Sequence, residues 1–170
     1  MPITYTECPK DVEDIAGQVI REHHLRLLSP NMVSITYLFA HGPRDEATGE
    51  VTGPAVTHNG YECLAVVKVN SLKDRVEGKS DCTITIDGDR WSDHSHETKK
   101  AILDHELAHV IPTNKTDDCN RPVLKLRKHD IHIGGFVDVI QRNREHAIEY
   151  QQMCEAGKKV RKVLQNTMWG

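Results

Sequence analysis

A ten-residue stretch from Ala101 to Val110 constrains this chain most, because it holds one His-Glu-x-x-His pattern. On a helix, residues four apart share a face, so His105 and His109 can offer two imidazoles to one metal ion. Glu106, one step round the helix, can take a proton from a metal-bound water without ligating the metal. The pattern therefore predicts a helical zinc site of the kind that peptide-cleaving hydrolases use.

The sequence around the pattern favours a metal site over a chance arrangement of the 11 histidines in the 170 residues. Ser95 is a suitable N-cap, and Glu97 would place a negative charge in the first helical turn, where the helix dipole favours it. No Gly or Pro interrupts the segment before Pro112. We therefore predict one helix that carries the whole pattern.

Length and composition exclude several other classes of protein. The 170 residues are expected to form a single domain, 1–170, and the net charge of −3 gives no argument for a nucleic-acid surface. The five cysteines form no CxxC pair, which argues against a disulfide framework and against a four-cysteine zinc site. The chain has neither an apolar run of membrane-span length nor a signal-peptide core, so we expect a cytoplasmic protein without membrane contact. The oligomeric state cannot be inferred from the sequence.

Hydrophobic patterning predicts an α+β fold. A helix is expected at about 9–28, and strands are expected at 32–40, 61–69 and 81–87, with a mobile loop at 41–60. The nearly continuous apolar run of 61–69 indicates a central strand, whereas the polar outward face of 81–87 indicates an edge strand. An edge strand beside a metal helix can hold an extended peptide by main-chain hydrogen bonds.

The second half of the chain is expected to contain a loop from 112 to 128 and a long helix from about 136 towards 157. Residues 158–170 are basic at their start and are expected to form a flexible tail. A small, twisted, mostly antiparallel sheet of about three to four strands would then pack against the motif helix. One helix would precede this sheet and one long helix would follow the motif.

The third metal ligand remains open from the residues alone. Catalytic zinc usually takes three protein ligands and leaves a fourth position for water. His129 and His132 lie at the entrance to the last predicted helix and are the first two candidates. Glu145 and Glu149 are competitors in the style of zinc sites with a carboxylate ligand. Asp130 could orient a neighbouring ligand.

The sequence resembles the phage metallopeptidase family over about residues 12–140. The similarity rests on Trp91 ahead of an Asp-His-Glu-Leu-x-His helix (104–109), on the later pair His129-Asp130, and on Phe136. It implies a zincin-like fold in which Zn²⁺ is held by His105, His109 and His129, and it makes Glu106 the catalytic carboxylate. A looser similarity of residues 132–136 to SprT-like proteases points instead to His132.

These observations predict a zinc metallopeptidase that acts on protein or peptide substrates with Glu106 as general base. His132, Arg127 or Tyr150 could stabilise the developing oxyanion. If the chain is phage-encoded, it would act in the cytoplasm of the bacterial host. The alternative is a non-catalytic, metal-stabilised phage protein that binds a host protein or nucleic acid, to which the basic segment 158–162 could contribute.

Overall fold

The computed structural model describes residues 2–28, 33–129, 145 and 148–168, including the side chains of 150–162 in the last segment. Residues up to Arg127 form one compact unit, and residues from Lys128 onward form another. The first unit contains the following elements: β1 (Thr4–Glu7), α1 (Lys10–His23), β2 (Ile35–His41), β3 (Thr57–His58), β4 (Tyr61–Glu62), β5 (Ala65–Val69), α2 (Leu72–Val76), β6 (Cys82–Asp87), α3 (Gly88–Trp91), α4 (His96–His109), β7 (Val110–Thr116) and β8 (Pro122–Leu126).

The main sheet has four strands in the order β1-β2-β6-β5. β1 runs antiparallel to β2, β2 runs parallel to β6, and β6 runs antiparallel to β5. Two further two-stranded sheets pair β3 with β4 and β7 with β8. The prediction of a mixed α+β fold with a small, mostly antiparallel sheet is therefore confirmed.

The core lies between the main sheet and two helices, α1 and α4. Val12, Ala16 and Val19 of α1 are fully or almost fully buried, as are Leu103 and Leu107 of α4. They pack in one cluster with the buried side chains of β5 and β6. Burial of this apolar surface is the main driving force that places α4 on the sheet. The alternation predicted for β6 is confirmed by the buried side chains Cys82, Ile84 and Ile86.

The predicted positions of two strands in the sheet are wrong. β6, expected at an edge, is an interior strand, and the strand expected to be central, β5, lies at an edge of the main sheet. The apolar run of β5 has another cause, because Val66 packs with Ala40, Ala55 and Val56 in a second small cluster. Both faces of β5 are therefore covered at a sheet edge. A polar outward face, as on β6, does not by itself mark an edge strand.

Other boundaries differ from the predictions. The helix expected at 9–28 ends at His23 and is followed by a 3-10 turn, and β1 and α2 were not predicted. The strand expected at 61–69 is interrupted, because β4 turns back onto β3 through Asn59 and Gly60. Both turn residues have positive φ, 51° and 81°, as the two central residues of a type I′ hairpin turn require. The mobility expected of 41–60 and the single-domain assignment of 1–170 stay predictions.

Residues 110–126 form a β-hairpin where a loop was predicted. β7 and β8 pair antiparallel from Val110 opposite Leu126 to Thr116 opposite Pro122, with an irregularity between Pro112 and Thr116. The hairpin returns the chain to the end of α4. This return is the feature of the fold that matters most for the candidate site.

The far end of the hairpin is fixed to the main sheet by a buried carboxylate. Asp81 is 1% exposed and accepts hydrogen bonds from Arg121 at 2.5 Å and from the Ser34 amide at 2.8 Å. Next to it, the Arg75 guanidinium lies 2.6 Å from a carboxylate oxygen of Asp117, and both side chains are largely buried. These ion pairs hold the hairpin turn against the sheet and α2.

The second unit contains one described helix, α5 (Ile148–Met168). It continues past Gly157, where the sequence predicted an end, so 158–168 are helical. The start predicted near Phe136 lies outside the described residues. None of the helices in the described part of the chain combines the length and apolar character that a membrane span requires.

Removing the Asp81 carboxylate is expected to destabilise the first unit. Burial raises the pKa of Asp81, but the bonds from Arg121 and Ser34 outweigh burial, so the net pKa is lowered. Asp81→Ala removes the shared acceptor of Arg121, the Ser34 amide and the Ser34 hydroxyl, and it should cost about 3 kcal/mol of unfolding free energy, measured by urea denaturation near neutral pH. The exposed control Asp118→Ala should change it by less than about 0.5 kcal/mol.

The same pair predicts a pH dependence. A carboxylate with a lowered folded-state pKa stabilises the fold above its ordinary pKa, and this stabilisation is lost as pH falls through the folded value. The difference in unfolding free energy between the parent and Asp81→Ala should therefore shrink below about pH 4. A difference that stays constant down to pH 2 would contradict the assignment.

Candidate metal centre

The helix α4 carries the His-Glu-x-x-His pattern, as the sequence predicted. The Ser95 hydroxyl caps its start by accepting from the Thr98 amide at 3.2 Å. Because Leu103 and Leu107 are buried in the core, the helix leaves His105 exposed and His109 half-buried. The two imidazole ring centroids are 5.0 Å apart. The spacing of four residues thus places both rings side by side.

The His109 ring is oriented by the hairpin. Its Nδ1 lies 2.6 Å from the backbone carbonyl oxygen of Arg127, and the Arg127 amide donates to the His109 carbonyl at 2.7 Å. Since a carbonyl only accepts, Nδ1 must carry the proton of this bond, and Nε2 is the ring nitrogen through which His109 could ligate a metal. An imidazole held in this way is the usual arrangement of a metal-ligating histidine.

His129 completes a group of three imidazoles. It follows Arg127 by two residues, so chain connectivity alone keeps it close to His109. His105, His109 and His129 each offer one ring nitrogen, and these atoms all lie within 4.8 Å of one another. In the described part of the chain this is the group of histidine, cysteine and acidic residues whose donor atoms come close enough to hold one ion.

Glu106 lies beside this group but belongs to the buried layer. It is 6% exposed. Burial raises the pKa of Glu106, whereas His109 and a hydrogen bond from the Val67 amide lower it, and the net shift is upward. The carboxyl group is thus held between α4 and the edge strand β5, close to the imidazoles.

The backbone of β5 explains the contact with Glu106. Asp87 N–H donates to Leu64 O, and Asn70 N–H donates to Asp81 O. In an antiparallel pair such bonds recur at every second residue, so the backbone groups of Ala65, Val67 and Val69 point away from β6. The Val67 amide is therefore free to bond to Glu106.

Three contacts from the first helix and the turn after it fix α4, and sequence patterning did not predict them. The Glu22 carboxylate pairs with Lys100 at 2.9 Å, and the buried His24 ring lies 2.5 Å from the Asp104 carboxylate. One turn further on, the Arg26 guanidinium donates weakly, at 3.4–3.5 Å, to carbonyl oxygens at the end of α4. A cation is favourable there because these carbonyls carry the negative end of the helix dipole.

Other predicted candidates have different outcomes. His132 and Asp130 lie outside the described residues, as does the side chain of Glu149. Glu145 is exposed and does not belong to the described three-histidine group. His41, expected in a solvated loop, instead ends β2 and bonds through Nδ1 to Asp89 at 3.0 Å. The predicted oxyanion donors Arg127 and Tyr150 are exposed, and their roles stay predictions.

The arrangement combines three imidazole nitrogen donors with one buried carboxyl group that is not among the donors. Such a set can hold a divalent metal ion through imidazole and keep a proton acceptor next to it. The bond from His109 Nδ1 to the Arg127 carbonyl is the outer contact that metal-ligating histidines usually make.

Comparison with known proteins assigns the family. A family model described as "Putative phage metallopeptidase" matches residues 4–158 of the 170. No curated protein and no solved structure shows significant similarity to the chain. The match includes α4 and His129, so the chain belongs to the phage metallopeptidase family.

Proposed function

We propose that this protein is a zinc-dependent metallopeptidase in which His105, His109 and His129 hold the metal and Glu106 is the general base. The observation that carries the proposal is the group of three ring nitrogens within 4.8 Å of one another, next to a carboxylate that is not part of the group. Membership of a metallopeptidase family supports a metal-dependent reaction on peptide bonds.

The donor set favours zinc. Three histidines with one open position are a known ligand set for catalytic zinc, and imidazole suits Zn²⁺ better than Mg²⁺ or Ca²⁺. When bound, zinc would supply a Lewis acid that lowers the pKa of water from about 15.7 towards about 7 and polarises the substrate carbonyl. The bond from Nδ1 of His109 to the Arg127 carbonyl makes Nε2 the ring nitrogen that would bind zinc.

Glu106 would move the proton. Its carboxylate accepts the proton of the attacking water and then delivers it to the nitrogen of the leaving amine. Burial raises its pKa, so it is a stronger base than an exposed carboxylate. The Val67 amide holds the carboxylate in place during both transfers. A metal site that served only stability would have no use for a buried acid at this position, which favours an enzyme over a metal-stabilised binding protein.

A zincin-like arrangement of sheet and helix is part of this proposal. The edge strand would be β5 and not β6, because β5 lies at an edge of the main sheet and its Val67 amide bonds to Glu106. An extended peptide that lies along this side of β5 would bring a carbonyl close to the three histidines. For a protein of a phage metallopeptidase family, the expected place of action is the cytoplasm of the bacterial host.

Replacing Glu106 separates binding from catalysis. Glu106→Gln removes the proton acceptor and keeps the side-chain size, so hydrolysis of fluorescently labelled casein should fall by about 100- to 10,000-fold. Zinc content, measured by mass spectrometry of the metal, should remain at the parent value. Glu97→Gln, an exposed change in the first turn of the same helix, is the matched control and should cleave like the parent. Parent-like cleavage by Glu106→Gln would refute the mechanism.

Single histidine replacements identify the third ligand. His129→Ala should weaken zinc binding, measured by competition with a chromogenic chelator, by more than the roughly 10- to 100-fold typical of losing an outer hydrogen bond. The exposed β3 residue His58 is the control, and His58→Ala should bind zinc like the parent. If His132→Ala loses zinc and His129→Ala keeps it, the ligand set proposed here is wrong.

A further inference from the structure

We propose that the cationic face of α5 binds the phosphate backbone of nucleic acid, independently of the peptidase site. The face consists of four residues within one and a half helical turns, Lys158, Lys159, Arg161 and Lys162. All four are exposed. None of them lies within ion-pair distance of a described carboxylate, although Glu155 precedes them by one turn.

The helix separates this face from its apolar residues. At about 100° per residue, the four cations cover an arc of about 160°. Met153, Ala156 and Val160 cover a narrower arc centred on the opposite side of the helix. Ala156 is 8% exposed, whereas Met153 and Val160 are 47% and 43% exposed, so this side is buried at Ala156 and open to solvent at its two larger residues. The cations are directed away from the buried Ala156.

Charge distribution also favours a polyanionic partner. The whole chain has a net charge of −3, whereas the five residues 158–162 carry four positive charges and no negative one. This local excess is opposite in sign to the charge of the chain. Phosphate backbones attract such a group because binding releases condensed counterions. In the described part of α5 only Tyr150 is aromatic, and it lies two turns away from the cations, which favours contact with phosphates over stacking on bases.

The described part of α5 offers little apolar surface to a membrane. An interfacial helix keeps its cations on the polar face and inserts an opposite apolar face that is rich in Trp, Phe or Leu. Within 150–162 the face opposite the cations holds Met153, Ala156 and Val160 and none of those three residue types, and Ala156 is already buried. Nucleic acid is therefore favoured over a membrane as the partner.

The test measures binding of the full-length parent to a fluorescein-labelled duplex of about 25 bp with random sequence, by anisotropy at several salt concentrations. Four phosphate contacts should make affinity fall about 100-fold between about 50 and about 200 mM salt. Replacing Lys158, Lys159, Arg161 and Lys162 by Gln should reduce the slope of log K against log salt by about 3 to 4.

The matched control removes the same charge elsewhere, at four exposed lysines on other elements: Lys10, Lys68, Lys73 and Lys115. It should keep most of the parent slope. A second variant with Arg in place of Lys158, Lys159 and Lys162 keeps the charge and should bind like the parent. Agreement of the circular dichroism spectra of both variants with that of the parent would show that α5 is retained in both.

Four results would overturn the proposal. The parent could fail to bind duplex DNA, the Gln variant could keep the parent slope, or the control could lose as much affinity as the Gln variant. Preferential binding of the parent to phosphatidylserine vesicles over DNA would also overturn it. Because DNA binding needs neither zinc nor Glu106, the Glu106→Gln variant should bind DNA like the parent, so failure of one proposal is distinguishable from failure of the other.

Discussion

The candidate site depends on two hydrogen bonds between His109 and the Arg127 backbone, one made by the His109 ring and one by its carbonyl. A helix alone can present His105 and His109, but it cannot supply a third ligand. The hairpin β7–β8 returns the chain to the end of α4, and the Arg127 amide and carbonyl then bond to His109. Each bond contributes on the order of 1 kcal/mol, which is modest. Together they orient the His109 ring and hold Arg127 next to it, and His129 follows Arg127 by only two residues.

One side of α4 is fixed by packing and ion pairs, and the other side presents His105 and His109. Its buried residues pack on the sheet, and its polar residues pair with α1 and the turn after it through Lys100 and Asp104. Glu106 lies at the boundary between these sides, buried against β5 but close to the imidazoles. Burial raises the pKa of this carboxyl group while its charge interacts with His109, and the proposed role of Glu106 as general base rests on this combination.

Sequence patterning predicted the helical metal motif, the two main helices of the first unit and the β-rich middle of the chain, because each has a strong local signal. It did not predict the order of the strands. The apolar run of β5 resulted from a second small cluster around Val66, and the hydrophobic pattern of one strand carries no information about its neighbours. The hydrophobic pattern did not indicate the hairpin, because a proline and polar residues such as Asn114 and Lys115 interrupt it. In β8 the alternation of buried residues, Pro122 and Leu124, extends over only five residues, which is too short for a clear strand pattern. The contact of His24 with Asp104 joins residues 80 positions apart, so no local sequence pattern predicts it.

The most direct test of the central claim is X-ray absorption at the zinc edge of the metal-loaded protein. The account predicts three imidazole nitrogens at about 2.0–2.1 Å and no sulfur ligand, with one imidazole fewer in His129→Ala. A spectrum with a Zn–S distance near 2.3 Å, or an unchanged imidazole count in His129→Ala, would contradict the ligand set and the mechanism built on it.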